Sequence, residues 1–148
     1  MKKSIFYIVL FTSIALDLYT KFISFSHLDK KINIIWDFLY LQLLMNPGIA
    51  FWVQLDQIVI KILTICLILW IFYYYFSEER KEKSILTDVA FWMILWGAIW
   101  NGIERVFRWE VVDFIWVKYF SVFNIADICI TLWAILYIIA LYSDTPEK

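Results

Sequence analysis

Residues 58–76 read IVIKILTICLILWIFYYYF, an apolar run with one charge, Lys61, near its start. A bilayer's hydrocarbon core is about 30 Å thick and takes roughly 20 residues of helix to cross. Only a helix satisfies its own backbone in lipid without a partner, so the run predicts a transmembrane helix with Lys61 snorkelling outward. Working outward, three more runs of this kind cover about residues 4–25, 85–103 and 120–142. The 148 residues are 64% hydrophobic and 21% aromatic, with three Gly and two Pro. That leaves too little polar sequence to coat a water-soluble domain. The formal net charge of -1 gives no basic excess, so no nucleic-acid partner is expected. The expected fold is therefore an all-α membrane protein of four transmembrane helices, one polytopic domain over residues 1–148.

Met1-Lys2-Lys3 followed by Ile5–Leu16 resembles a signal peptide, but the run leads directly into Asp17 and Lys21 without a small-x-small cleavage site. A retained first span is expected. Between the first two spans lies the longest connection, about Ser26 to Gln57. Its segment Ile32–Met45 is too apolar for a free loop and predicts short strands or an amphipathic element against the membrane. Asn46-Pro47-Gly48 is a turn signal, with proline holding Asn46 extended. Ser77–Lys83 (SEERKEK) is a charged connector, and a polar stretch from Val106 to Ser121 separates the last two spans. Four spans put both termini and the SEERKEK connector on one side. Lys and Arg are equally numerous on the two sides; discounting Lys21 and Arg105 as site residues favours cytoplasmic termini.

The informative residues are ionisable groups at membrane depth. Asp17, Lys21, Glu104, Arg105 and Asp127 would together cost roughly ten kcal/mol if central and unpaired. With helices alternating in direction, all five meet at one membrane face, and Asp113 lies on the connection there. Asp17 and Lys21 are spaced i,i+4 for a helical ion pair, which is either structural or a brace for a site. Asn101 and Arg105 share a face, as do Asn124, Asp127 and Thr131. Asn124 taken alone suits an interhelical hydrogen bond. Asp113 and Asp127 could face each other in a partly dry pocket and share one proton, the arrangement for metal-free peptide hydrolysis.

Other chemistries are poorly supported. His27 is the only histidine, which leaves no convincing Cys-His, Ser-His-Asp or zinc site, and no glycine-rich phosphate loop is present. Cys66 and Cys129 read as buried thiols rather than a disulfide. Lys61, His27, Asp29, Asp37 and Asp56 read as interfacial or solvated residues. A small transporter or ion-conducting subunit, with Asp17, Lys21, Arg105 and Asp127 as a proton or ion relay, is the rival from another class, but it expects polar groups throughout the membrane depth, and the inner halves of the spans are nearly pure hydrocarbon. A non-catalytic scaffold explains the convergence least.

Five blocks in order resemble lipoprotein signal peptidase, also called signal peptidase II, across nearly the whole chain. They are Leu16-Asp17 with Lys21; Asn46-Pro47-Gly48-Ile49-Ala50-Phe51; Gly97-Ala98-Ile99-Trp100-Asn101-Gly102-Ile103-Glu104-Arg105; Val111-Val112-Asp113-Phe114-Ile115; and Phe123-Asn124-Ile125-Ala126-Asp127. The resemblance implies a small β-cradle and an interfacial helix in the first extracytoplasmic loop. It also implies a bacterial inner-membrane location with the site near the outer face. Asp113 and Asp127 map to the catalytic pair. Asn46, Gly48, Asn101, Arg105 and Asn124 map to positions that line or brace the substrate site, and Asp17, Lys21 and Glu104 to supporting ones. No metal or cofactor is implied, and the working unit is expected to be a monomer among membrane lipids. The implied substrate is a prolipoprotein cut just before a diacylglyceryl-modified cysteine. Pro47, Trp100 and Glu104 depart from the usual Thr, Gly and Asp, changes that bear on groove shape and substrate preference.

Overall fold

The computed structural model describes residues 3–48, 55–77 and 85–143. Four helices, α1 (Lys3–His27), α2 (Gln57–Ser77), α3 (Ile85–Arg108) and α4 (Ile125–Ser143), are accompanied by four strands, β1 (Ile32–Ile35), β2 (Leu39–Asn46), β3 (Val111–Val117) and β4 (Val122–Phe123). Tyr7–His27, Gln57–Ser77 and Leu86–Arg108 are long and apolar enough to cross a membrane, and α4 adds a shorter apolar run, Ile125–Ile139. Large apolar side chains such as Phe11, Phe22, Leu69 and Ile138 face outward, as lipid rather than water as the solvent permits. Leu10, Val89 and Met93 form the buried core between α1 and α3, joined by Val9, Ile14, Trp96 and Trp133. Cys66 and Cys129 are free thiols.

Helices α3 and α4 pack tightly at Gly97. A Cβ there would stand 2.6 Å from Ile130 Cγ1 and 3.2 Å from the Ala126 carbonyl oxygen. Small residues at such crossings let backbones pack without a hydrophobic driving force.

The strands form one antiparallel sheet in the order β1-β2-β3-β4. This corrects the expectation of a cradle held within the first loop, because β3 and β4 come from the α3–α4 connection. Val111–Val117 is rich in β-branched and aromatic residues, a composition that suits a pleated half-buried surface. Tyr40 and Trp116 are register partners with stacked rings, 5.4 Å between centroids. No helix lies between α1 and α2 among the described residues. The expected interfacial helix is therefore not seen there, and residues 49–54, with the Ile49-Ala50-Phe51 part of its block, fall outside them.

Two helix boundaries also differ from expectation. Helix α3 runs on past Ile103 to Arg108, because its last turn is provided with cations. Arg105 and Arg108 sit in that turn, and Lys61 of α2 donates from Nζ to the Val106 carbonyl at 3.0 Å. Lys61 also lies 2.9 Å from the centroid of the Trp109 ring, so it locks α2 to the end of α3 rather than snorkelling freely. Trp109, at φ 67, ends the helix with a bond from its N–H to the Arg105 carbonyl at 3.2 Å, the left-handed C-terminal cap. Helix α4 begins at Ile125, not Phe120, since Val122 and Phe123 pair with β3.

The α3–α4 contact gives a first expectation. Gly97→Ala forces a Cβ against Ile130 and the Ala126 backbone and should cost about 1–3 kcal/mol, read as a lower unfolding midpoint in detergent. Gly102→Ala, whose Cβ would meet only the side-chain ends of Ile68 at 3.1 Å and Thr64 at 3.3 Å, should cost less.

Candidate active site

Strands β2 and β3 build one half of the site. Leu44 is the register partner of Asp113 and Asn46 that of Val111. Asn46 and Asp113 are therefore diagonal neighbours on one sheet face, within side-chain reach. Asn46 Nδ2 donates to Asp113 Oδ2 at 2.6 Å, while its Oδ1 accepts from the Gly48 N–H at 2.9 Å. That second bond is an Asx turn spanning Pro47. Gly48 thus serves the site by orienting Asn46.

The start of α4 builds the other half. Asn124 is its N-cap and Asp127 its third residue, and the two bond reciprocally. Asn124 Oδ1 accepts from the Asp127 N–H at 3.0 Å, and Asp127 Oδ2 accepts from the Asn124 N–H at 3.2 Å. This is a capping box with asparagine and aspartate in the usual serine and glutamate places. Asp17 of α1 accepts from the Ala126 N–H at 2.8 Å through Oδ1, satisfying another of the helix's orphan donors. Asn124 Nδ2 donates across to Asp113 Oδ1 at 2.8 Å, joining the halves.

Helices α1 and α3 brace this junction. Asn101 Nδ2 donates to Asp127 Oδ1 at 2.8 Å. Asn101 Oδ1 accepts from Lys21 Nζ at 3.0 Å and from Asn124 Nδ2 at 3.2 Å. Lys21 Nζ also donates to Glu104 Oε2 at 2.9 Å, and it lies 3.0 Å from Asp17 Oδ2 in a charge contact without hydrogen-bond geometry. Glu104 Oε2 further accepts from the Val112 N–H at 3.4 Å, which ties the end of α3 to the start of β3.

Asp113, Asp127, Asn46 and Arg105 line one cavity of about 410 Å³ with Phe123 and Leu132. Lys21 and Glu104 instead line a separate groove of about 490 Å³ on the α1 side of α3. The sequence-predicted residues thus divide into a lining set and a bracing set. Arg105 directs its charge at Asp127 and Asp113, and among the described residues no atom accepts from its buried Nε. Burial pushes the Asp113 carboxyl up to about 7. The Asn46 donor opposes that rise, the charge of Asp127 adds to it, and Asn124 and Lys21 pull it down. Among the described residues no group of His, Cys, Asp and Glu is arranged to hold a metal ion. The arrangement offers two acids, one of them titrating near neutrality, with a cation beside them in an apolar cleft.

Sequence reading missed the capping box and the locking role of Lys61. The first was signalled by the Asn124-x-x-Asp127 spacing. The second had no signal, because the partners of Lys61 lie 45 or more residues away in the chain.

Residues 9–143 match the protein-family profile described as Signal peptidase (SPase) II. The lipoprotein signal peptidase of Chlorobium phaeobacteroides (strain BS1) is 36% identical over 143 residues, covering 85% of this chain and 88% of that protein. That of Halalkalibacterium halodurans is 37% identical over 130 residues, covering 83% and 82%. A bacterial membrane enzyme solved at 2.3 Å by the in meso method superposes with a TM-score of 0.80 at 29% identity, covering 98% of this chain and 92% of that one.

The raised Asp113 carboxyl carries a stability consequence. It binds its proton more tightly folded than unfolded, where 3.8 is the ordinary value, so its contribution favours the folded state at low pH. That contribution is lost as pH rises from about 4 to about 7, on the order of a few kcal/mol in all. Unfolding midpoints across this window should fall less steeply with pH for Asp113→Asn than for the unaltered chain.

Proposed function

Because the chain belongs to the signal peptidase II family, membrane peptidases that remove signal peptides from prolipoproteins, we propose that it works as an aspartyl endopeptidase with Asp113 and Asp127 as the reacting pair. The observation that carries this reading is the convergence of both carboxyls on one cavity, linked by the Asn124 side chain.

The chemistry follows from the surroundings of each acid. Asp127 accepts from the Asn101 amide on one oxygen and from the Asn124 N–H on the other, and in this reading it is the ionised member of the pair. Asp113 holds the proton near neutrality. The ionised acid takes a proton from water as the water oxygen bonds to the scissile carbonyl carbon, and the protonated acid donates to the carbonyl oxygen. When the resulting diol collapses, the C–N bond breaks and the amine leaves with a proton from the pair. Arg105 holds substrate oxygens at the cavity's edge. Asn46, Asn101 and Asn124 orient the carboxyls, Gly48 orients Asn46, and Asp17, Lys21 and Glu104 brace the frame.

The substrate in this reading is a prolipoprotein cut before a cysteine that bears diacylglycerol, whose acyl chains suit the apolar walls of the cavity. The four helices all span, the chain is one domain of residues 1–148 and acts as a monomer among membrane lipids. Both termini face the cytoplasm of a bacterial inner membrane, with the site near the outer surface. Neither cofactor nor metal takes part.

The test is incubation of purified protein with a diacylglyceryl-modified precursor. Asp113→Asn and Asp127→Asn should each abolish cleavage while leaving the folded, membrane-inserted protein intact. Normal processing by either variant would overturn the pairing. For the unaltered enzyme, kcat should decline above about pH 7, approaching tenfold per pH unit, as the proton leaves Asp113.

A further inference from the structure

We propose that Lys21 is a positioning residue for peptide cleavage, acting through the side-chain amide of Asn101 to hold Asp127. The proposal rests on the aspartyl-pair reading and extends it to a residue outside the cavity.

An asparagine side chain has two ends of nearly equal size, one an acceptor and one a donor, and its partners decide which end faces a neighbour. Three asparagines surround the acid pair, and in each the oxygen is pinned by a donor so that the NH2 end points at a carboxylate. Asn46 Oδ1 is pinned by the Gly48 N–H and Asn124 Oδ1 by the Asp127 N–H, both backbone groups set by the fold. Asn101 Oδ1 is pinned by Lys21 Nζ at 3.0 Å, and its Nδ2 donates to Asp127 Oδ1 at 2.8 Å. The Asn124 amide adds a longer bond of 3.2 Å to the same oxygen.

Lys21 is held for this task. It is 4% exposed, and its Nζ donates to Asn101 and Glu104 and lies in charge contact with Asp17. A structural ion pair needs only the two carboxylates. The third contact is the one that reaches the acid pair. Were Asn101 turned end for end, its oxygen would face the Asp127 carboxylate and its NH2 the ammonium, unfavourable on both sides. Lys21 therefore sets the direction of the amide, and the amide sets the position of Asp127 Oδ1.

The experiment is a kinetic double-mutant cycle on the full chain in detergent, with a diacylglyceryl-modified precursor as substrate. Lys21→Met should lower kcat about 10- to 100-fold, the penalty of a misplaced reacting group, with KM within about twofold. Asn101→Leu should show a similar loss. The double variant should be no worse than Asn101→Leu alone, within about threefold, because both changes break one relay. Losses that multiply, or a Lys21→Met chain whose kcat is unchanged, would overturn the proposal. Should Lys21→Met fail to fold with Asp17 and Glu104 left facing each other, the charge-balanced Lys21→Met/Glu104→Gln chain takes its place in the cycle, with unfolding midpoints recorded alongside. Asp127→Asn is assayed in parallel. If it cleaves normally, the aspartyl reading has failed; if it is dead while Lys21→Met keeps its kcat, only the role of Lys21 has.

Discussion

The amino end of α4 is the constraint on which the site depends. A helix start buried at the edge of a bilayer leaves backbone N–H groups that water cannot reach, and each would cost several kcal/mol if unmet. Asn124, Asp127 and Asp17 meet three of the donors there. Two of those residues belong to the acid network itself, so in the proposed reading folding and chemistry use the same atoms. Asp127 caps its own helix with Oδ2 and receives Asn101 on Oδ1. Asp17 caps the same helix from α1 while lying against Lys21. The positions of these groups are fixed by the fold itself, the kind of preorganisation that the proposed chemistry requires.

Much of this was legible in the sequence. Long apolar runs fixed the helices to within a few residues, and charges inside them pointed to the residues that gather at one end. The spacing of Asp17 and Lys21 gave the ion pair directly. What stayed hidden was set by partners distant in the chain. Charges at Glu104 and Arg105 read as the end of a span, yet α3 continues because Lys21 takes up Glu104 and Lys61 caps the final turn. The segment from Val111 read as polar loop around its aspartate, although its β-branched and aromatic residues are those of a strand. Phe120 to Phe123 read as the apolar start of a helix; strand pairing claimed part of it, and the cap at Asn124 marks the true beginning.

The departures at positions 47 and 104 are accommodated by local geometry. Pro47 sits inside the turn closed by Asn46 and Gly48, where its fixed φ costs nothing and its missing N–H goes unused. Glu104 uses one oxygen for both Lys21 and the Val112 N–H, a bridge between helix and sheet. Trp100 stands between the α1-side groove and a small pocket beside Asp17, with its indole nitrogen buried. Nothing in the structure explains why a large aromatic is placed there.

The cavity at the acid pair is lined on its α4 side by Thr131 and Leu132, both of which also lie open on the helix's outer surface. The cavity therefore opens on the flank of α4, and in the proposed reading that flank faces the acyl chains. In that reading a precursor anchored in the same leaflet arrives by diffusing in two dimensions. Its supply is measured as molecules per unit area, so dilution of the aqueous phase leaves the encounter rate untouched, while spreading the same protein over more lipid slows it.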